Sequence, residues 1–514
     1  MVNTGDMGDF PIAIIGAGFS GLGMAIKLKE AGIESFTIFE KADDIGGTWR
    51  DNTYPGCACD VPSHLYSFSF DQNPRWSHEF SGQAEILEYL RSVVDRYDLR
   101  RFIRFGTEVK GASFDEDVAR WNVDLSDGTT YEARVLISGA GPLNKPAYPD
   151  IAGRDTFEGE QFHSFHWNHD YDFRGKRVAA IGTGASAIQF VPEIAPDTEQ
   201  LYVFQRTAPW IFPKPNGAYG ERTKRAFERI PGLQRAYRNA IYWAWESRAI
   251  GFVKYPKLLN LASRMGRAHI AKQVADPELR AKVTPDFSVG CKRILGSDDW
   301  YPTLQRDDVE LVTDDIVEIR ARSIVTRDGV EREVDAIVYG TGFRVTDFIT
   351  PMRVVGRGGV DINDAWRDGA EAYYGMSVSG FPNLFVLLGP NTGLGHNSVV
   401  FMAEAQIHWV MQHVQRLRRE KLAWTDVKPA VQRKFNDDLQ SRMAETVWLT
   451  GCQSWYLDEG GKNFSLWPGF TFEYWLRTRR VDWGAFEVSR ASKERAHTGE
   501  QDPLGVPDVV ARRV

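Results

Sequence analysis

The sequence predicts an α/β fold built on two Rossmann-like domains, with a helical insertion inside the second. Two stretches carry this expectation. Residues 10–15 read as a short apolar strand running into Gly16-Ala17-Gly18-Phe19-Ser20-Gly21, and residues 177–181 as another running into Gly182-Thr183-Gly184-Ala185-Ser186-Ala187. A helical pattern follows each glycine turn. The third observation is length: 514 residues exceed one ordinary core and fit about three domains. With 43% hydrophobic and 25% charged residues, the composition is that of a globular protein.

In the first unit, Gly16 permits a tight turn, Gly18 lets the backbone approach a pyrophosphate, and Gly21 lets helix and strand pack closely. The free N–H groups at the helix start suit phosphate oxygens. A strand at 35–39 ends at Glu40, nineteen residues after Gly21, where a carboxylate can grip ribose hydroxyls.

The second unit repeats this register. Gly182, Gly184 and Ser186 form the turn, Ala187 is the third small residue, and a strand at 201–204 leads to Gln205 and Arg206. Arg206 stands nineteen residues after Ala187, where the first unit has Glu40. An acid there repels a 2′-phosphate, whereas an arginine pairs with one through two hydrogen bonds. Thr207 adds a hydroxyl donor. The first site therefore reads as one for FAD and the second as one for NADPH.

Pro142, Pro146 and Pro149 read as a linker between the units. From about 219 to 283 the pattern turns helical and polar, with Arg235, Tyr237, Arg238, Tyr242, Trp243 and Trp245 interleaved. Strand patterns return at 310–319, 324–327 and 334–339. The expected division is an FAD-binding domain over 1–145 and 344–490, and an NADPH-binding domain over 146–215 and 289–343. A helical insertion covers 216–288 and a peripheral charged tail 491–514.

A net charge of −7 argues against nucleic acid as a partner. The acidic start has no apolar leader, and no apolar run approaches 18 residues, so no membrane span is expected. Four cysteines fit a reducing cytoplasm rather than a disulfide framework. Cys57-Ala58-Cys59 lacks a second Cys or His pair nearby, so no metal is expected, and Cys291 beside two cations reads as a bystander.

Further residues narrow the class. Phe157, Gly159, His163 and Trp167 resemble the FxGxxxHxxxW fingerprint of Baeyer–Villiger monooxygenases, with Asn168 where Pro or Asp usually follows. Related flavin-containing monooxygenases usually carry Phe or Tyr at the Trp167 position. Gly46-Gly47-Thr48-Trp49, Tyr54-Pro55-Gly56 and Asp60 resemble the family's longer GGxWxxxxYPGxxxD motif. Gly290-Cys291-Lys292-Arg293, followed by Trp300-Tyr301-Pro302, is similar to its Lys-Arg segment. Tyr339-Gly340-Thr341-Gly342-Phe343 is similar to its ATGF segment, with Gly340 in the alanine position. Cys452 to Tyr456, with Gly461-Lys462-Asn463 and Trp467-Pro468-Gly469, resembles a C-terminal segment in which a tryptophan approaches the nicotinamide. The matches run from residue 10 to about residue 477.

The resemblance implies an enzyme that uses FAD, NADPH and molecular oxygen to convert ketones to esters or lactones through a flavin C4a-peroxide, with sulfoxidation as a side activity. It makes Arg293 and Asp60 the catalytic residues, Arg293 as the cation and Asp60 as the carboxylate that orients it or modulates its charge, and it counts Asp60 among the cofactor-binding residues as well. Gly47, Thr48 and Trp49 fall to the flavin, Lys292, Arg206 and Trp455 to NADP, and His163 to coupling between domains. Two other readings stay open: a monooxygenase that oxidises nitrogen or sulfur, and an NADPH/FAD redox protein without oxygenation. A dithiol reductase lacks its CxxC motif.

Overall fold

A computed structural model describes residues 10–345, 348–349, 352–452, 454–458 and 460–490; the tail expected from 491 lies outside the described residues. Two five-stranded parallel sheets organise the molecule. In the first, the order is Leu384–Val386, Val135–Ser138, Ile12–Ile15, Phe36–Phe39, Ile103–Arg104. Ile12, Ala13 and Ile14 are fully buried, as a central parallel strand covered on both faces requires. The Phe19–Glu30 helix covers one face and meets the long Val399–Arg419 helix at Gly23, where a Cβ would lie 2.9 Å from the Ile407 side chain. The edge strand Leu384–Val386 comes from the second half of the chain, so both halves complete this sheet.

The second sheet runs Val309–Val312, Gln200–Phe204, Arg177–Ile181, Ala336–Tyr339, Glu160–His163. The pattern at 310–319 is not one strand. It splits into Val309–Val312 in this sheet and Ile316–Ile319, which pairs antiparallel with Ser323–Thr326. Asp314 and Asp315 occupy the break, in keeping with the poor fit of aspartate to a pleated sheet.

Between the strands of the second sheet the chain runs through helices Glu221–Arg229, Leu233–Glu246, Ala249–Val253, Leu259–Gln273 and Pro277–Val283. Pro277 at the start of the last helix and Asp276, which accepts from the Glu278 and Leu279 N–H groups, form an ordinary N-terminal cap. A small antiparallel sheet (Val109–Asp115, Arg120–Leu125, Thr130–Ala133) and a hairpin (Leu422–Val427, Phe486–Arg490) decorate the first sheet. Among the described residues no helix is long and apolar enough to cross a membrane, and no group of three or more His, Cys, Asp or Glu is placed to hold a metal.

Candidate active site

The first glycine turn has the geometry its sequence demands. Gly16 has φ +92°, and a Cβ on Gly21 would lie 1.9 Å from the Gly16 carbonyl oxygen. Gly18 faces Gly47: the nearest atom to a Cβ on Gly18 is the Gly47 Cα, at 3.9 Å. Two glycines thus oppose each other across a passage free of side chains. The Phe19–Glu30 helix opens on Gly18 with no side-chain cap and no acid in its first turn. These features fit a diphosphate. Glu40 is buried at the end of the neighbouring strand, accepts from the Ala17 N–H at 2.9 Å and pairs with Arg50 at 3.0 Å. Trp49 is buried and donates from its indole to the Tyr66 hydroxyl at 3.2 Å, while Thr48 is exposed.

In the second turn Gly182 has φ +110°, and a Cβ there would lie 2.5 Å from the Gly340 carbonyl oxygen. A Cβ on Gly340 would in turn crowd the Ala187 methyl at 3.0 Å, which accounts for glycine where the related motif has alanine. The Ala187–Ile194 helix opens on Ser186, also without a side-chain cap or an acid in its first turn. Arg206 is exposed just beyond the Gln200–Phe204 strand, and the Thr207 carbonyl accepts from the Thr183 hydroxyl at 3.3 Å. Lys292 belongs to the same region. Burial, then the charge of Arg206, lowers the pKa of its amine, and Asp286 only partly offsets this. Two cations close enough to oppose each other suit a phosphate, which would relieve their repulsion.

The units meet at Tyr54-Pro55-Gly56. The Tyr54 hydroxyl donates to the Gln189 side chain at 3.0 Å, and the Gln189 amide donates to the Ala58 carbonyl at 3.0 Å. Gly56 has φ +73°, and a Cβ there would lie 2.8 Å from the Gln189 carbonyl oxygen. This motif therefore locks the loop of the first unit onto the helix of the second, and four residues later places Asp60. Asp60 Oδ2 accepts from Arg293 Nη2 at 3.1 Å, and its Oδ1 accepts from Lys214 Nζ at 3.1 Å. The side chain of Arg293 is 42% accessible, against 19% for Asp60 and 14% for Lys214. The carboxylate is enclosed and the guanidinium presents a free face. Burial opposes the charge of Arg293, but Asp60, then Tyr456, Cys59 and Tyr66, outweigh it and hold its pKa above the ordinary value. The cation is permanent.

Comparison with known proteins agrees with this geometry. A family model described as pyridine nucleotide-disulphide oxidoreductase matches residues 13–224, which span both glycine turns. A Baeyer-Villiger monooxygenase of Pseudomonas aeruginosa is 47% identical over 499 residues, covering 96% of this chain and 95% of that protein. Another, of Streptomyces coelicolor, is 45% identical and covers 93% of this chain and 92% of that protein. The solved structure titled oxidized steroid monooxygenase bound to NADP is 32% identical with a TM-score of 0.84, covering 94% of this chain and 99% of the other. The chain belongs to the Baeyer–Villiger monooxygenase family. It is a flavoprotein monooxygenase that uses FAD and NADPH.

In this monooxygenase the FxGxxxHxxxW fingerprint comprises an aromatic cluster at Trp167 and, beside the linker, a buried neutral histidine. Trp167 stacks on Phe173 at 5.7 Å and meets Phe162 edge-on at 5.2 Å. A Cβ on Gly159 would lie 2.6 Å from the Phe157 ring. His163 ends its strand beside Tyr339, its Nδ1 accepts from the Phe165 N–H at 3.1 Å, and its ring packs against Tyr148 and Phe343. Burial pushes its pKa down to about 4, only partly offset by the Gly342 backbone. The site is a junction of linker, sheet and Gly342 turn. Trp300 and Tyr301 are buried in the core of the second unit.

Cys291 is not a bystander. It is disulfide-bonded to Cys452, 161 residues away, with the two Cα atoms 6.2 Å apart. Cys291 precedes Lys292 and Arg293, and Cys452 opens the segment that carries the half-exposed Trp455 and the buried Tyr456. Counting four cysteines could not reveal this, because pairing depends on where the chain returns. Cys57 and Cys59 are unpaired, and burial pushes their thiols up to about 11 and about 12, so neither is an activated nucleophile. Sequence reasoning also missed Lys214 and Gln189; neither lies in a recognisable motif. Tyr456 stood inside the C-terminal motif, and only its place beside Arg293 gives it a part in the site.

Proposed function

We propose that this chain converts ketones to esters or lactones, consuming one NADPH, one proton and one O2 per turnover and releasing water and NADP. The observation that supports it most is the shared carboxylate of Asp60, which holds Arg293 with a free guanidinium face next to the junction of the two units. NADPH would supply the two electrons and FAD the site of oxygen activation. The glycine pair Gly18 and Gly47 would receive the FAD diphosphate, with Glu40 on its ribose. Arg206 and Lys292 would hold the 2′-phosphate of NADPH, with Thr207 beside them and Trp455 near the nicotinamide end.

Arg293 is the catalytic cation in this reading. Negative charge appears on the carbonyl oxygen as a ketone is attacked, and a preorganised guanidinium stabilises it without losing its own proton. Asp60 and Lys214 position that guanidinium and touch no substrate themselves. The same site would oxidise a sulfide as a side reaction, since a sulfur lone pair needs no oxyanion stabilisation. The test is incubation of the FAD-loaded protein with NADPH, air and a panel of linear, cyclic and aryl ketones, with products followed by mass. Ester or lactone one oxygen heavier than the ketone is the expected result. NADPH oxidation without any oxygenated product across the panel overturns the proposal.

A further inference from the structure

The helical insertion carries a surface unlike the rest of the chain. Residues 247–275 hold six basic residues, Arg248, Lys254, Lys257, Arg264, Arg267 and Lys272, and no acidic one, in a protein of net charge −7. Elsewhere many surface cations have a carboxylate beside them, as in Arg174–Asp172, Arg320–Glu331 and Lys434–Asp438. Among the described residues none of these six has a carboxylate partner.

The same stretch exposes large apolar side chains: Ile250, Tyr255, Leu258 at 55%, Leu261 at 65% and Met265 at 61%. At about 100° per residue, the Leu259–Gln273 helix places Leu261, Arg264, Met265, Ala268 and Lys272 on one side. Leu259, Gly266 and Ile270 lie on the other and are buried. That inner side is fixed firmly. A Cβ on Gly266 would lie 2.7 Å from the Trp210 indole, and a Cβ on Gly290 would lie 3.3 Å from Leu259. The helix therefore cannot turn its apolar stripe inward, and its inner side rests against the segment that leads into Arg293.

We propose that this face docks the enzyme on an anionic lipid surface. Apolar side chains mixed with lysines and arginines that lack carboxylate partners match a bilayer interface, where the former enter the acyl boundary and the latter meet headgroup phosphates. A second copy of the chain fits poorly, because a two-fold contact on this stripe would set Arg264 and Lys272 of one copy against cations of the other. The surface is peripheral and needs no spanning helix. It also brings the wall behind Arg293 close to the phase in which apolar ketones collect.

The test is co-sedimentation of the FAD-loaded full chain with vesicles of phosphatidylcholine alone and of phosphatidylcholine with phosphatidylglycerol, at low and raised salt. Binding is expected to the anionic vesicles, weakened by salt. Leu261→Asp with Met265→Asp, and separately Arg264→Glu with Lys272→Glu, should each weaken it at least tenfold or so. Both pairs should leave flavin content and turnover of a water-soluble ketone unchanged. Absence of binding to anionic vesicles overturns the proposal, as does binding that neither pair affects. A concentration-dependent dimer that Leu261→Asp breaks, without vesicle binding, assigns the face to a second copy and also overturns it.

Discussion

Arg293 and Asp60, 233 residues apart in sequence, form an ion pair at 3.1 Å in which the carboxylate is enclosed and the guanidinium is open. The pair separates two kinds of work. Electron transfer from NADPH needs stacking and hydride approach, whereas oxygen insertion needs a fixed cation where negative charge develops. Arg293→Ala should therefore fold, bind FAD and still be reduced by NADPH. Its ester yield should fall about 100- to 1,000-fold, the usual loss on removing one preorganised donor, with oxygen released as hydrogen peroxide. Arg293→Lys should recover little, because an ammonium lacks the planar fork. Stopped-flow reduction and ester yield, measured on the same samples, check this. Near wild-type ester from Arg293→Ala would mean that the reacting centre lies elsewhere.

Lys214 shares the carboxylate of Asp60 with Arg293, at 3.1 Å. Without it, the whole negative charge of Asp60 falls on Arg293 and weakens its pull on a developing oxyanion. Lys214→Met is expected to keep NADPH affinity and flavin reduction while shifting oxygen use from ester toward peroxide, less severely than Arg293→Ala. Lys214→Arg, which keeps the charge, should restore most of the yield. An unchanged ratio of ester to peroxide in Lys214→Met would remove Lys214 from the positioning of Arg293.

Arg206 bears on coenzyme choice. Losing a charged hydrogen bond to phosphate costs about 1.5–3 kcal/mol, or roughly 10- to 150-fold. Arg206→Ala should raise the KM for NADPH by that order and leave NADH use nearly unchanged. Lys292→Ala should act in the same direction, since the two cations lie close enough for the charge of Arg206 to depress the lysine pKa. Equal losses with both coenzymes would show that Arg206 does not read the phosphate.

Both glycine turns are legible in the sequence because each glycine answers a local constraint: a positive φ at Gly16 and Gly182, and a 1.9 Å clash at Gly21. Local constraints leave local marks. The Asp60–Arg293 pair is different, since only the resemblance linked two distant motifs. Lys214 is 154 residues from Asp60 and Cys452 is 161 from Cys291, and nothing in a linear pattern joins them. The strand expected at 310–319 overran a turn because apolar residues stand on both sides of the polar Thr313-Asp314-Asp315.

Stability should fall as pH drops from about 6.5 toward about 4. His163, His64 and His413 are buried, and burial lowers their pKa to about 4, about 4 and about 3. In that window the unfolded chain binds protons that the folded one refuses, so each such histidine costs up to about 1.4 kcal/mol per pH unit on acidification. Asp426, pushed up to about 7 by burial, and Glu404, also raised by burial, work in the opposite direction, so two carboxylates stand against three imidazoles. His413 is the cleanest probe, being boxed by Trp409, Phe385, Trp483 and Phe486 away from the site. Melting of wild type and His413→Gln between pH 6.5 and 4.5 should show a shallower slope in the variant. Parallel slopes would mean that His413 is not held neutral.

The Cys291–Cys452 bond ties the segment bearing Lys292 and Arg293 to the segment bearing Trp455. Closing a loop this long restricts the unfolded chain, a contribution of up to about 4–5 kcal/mol on chain-entropy grounds. The bond also limits how far the two segments can separate, and both are proposed to touch NADPH. Thiol counting after denaturation without reductant should find two free thiols, Cys57 and Cys59, among the four cysteines. Cys452→Ser, and wild type treated with reductant, should melt at lower temperature and show a raised KM for NADPH. At saturating NADPH the flavin should still be reduced, because both cysteines pack in the core of the second unit, apart from the first glycine turn's own core. A purely stabilising bond would lower the melting temperature and leave the KM alone, so the KM separates tethering of the site from support of the fold. Four free thiols in the untreated protein would remove the tether altogether.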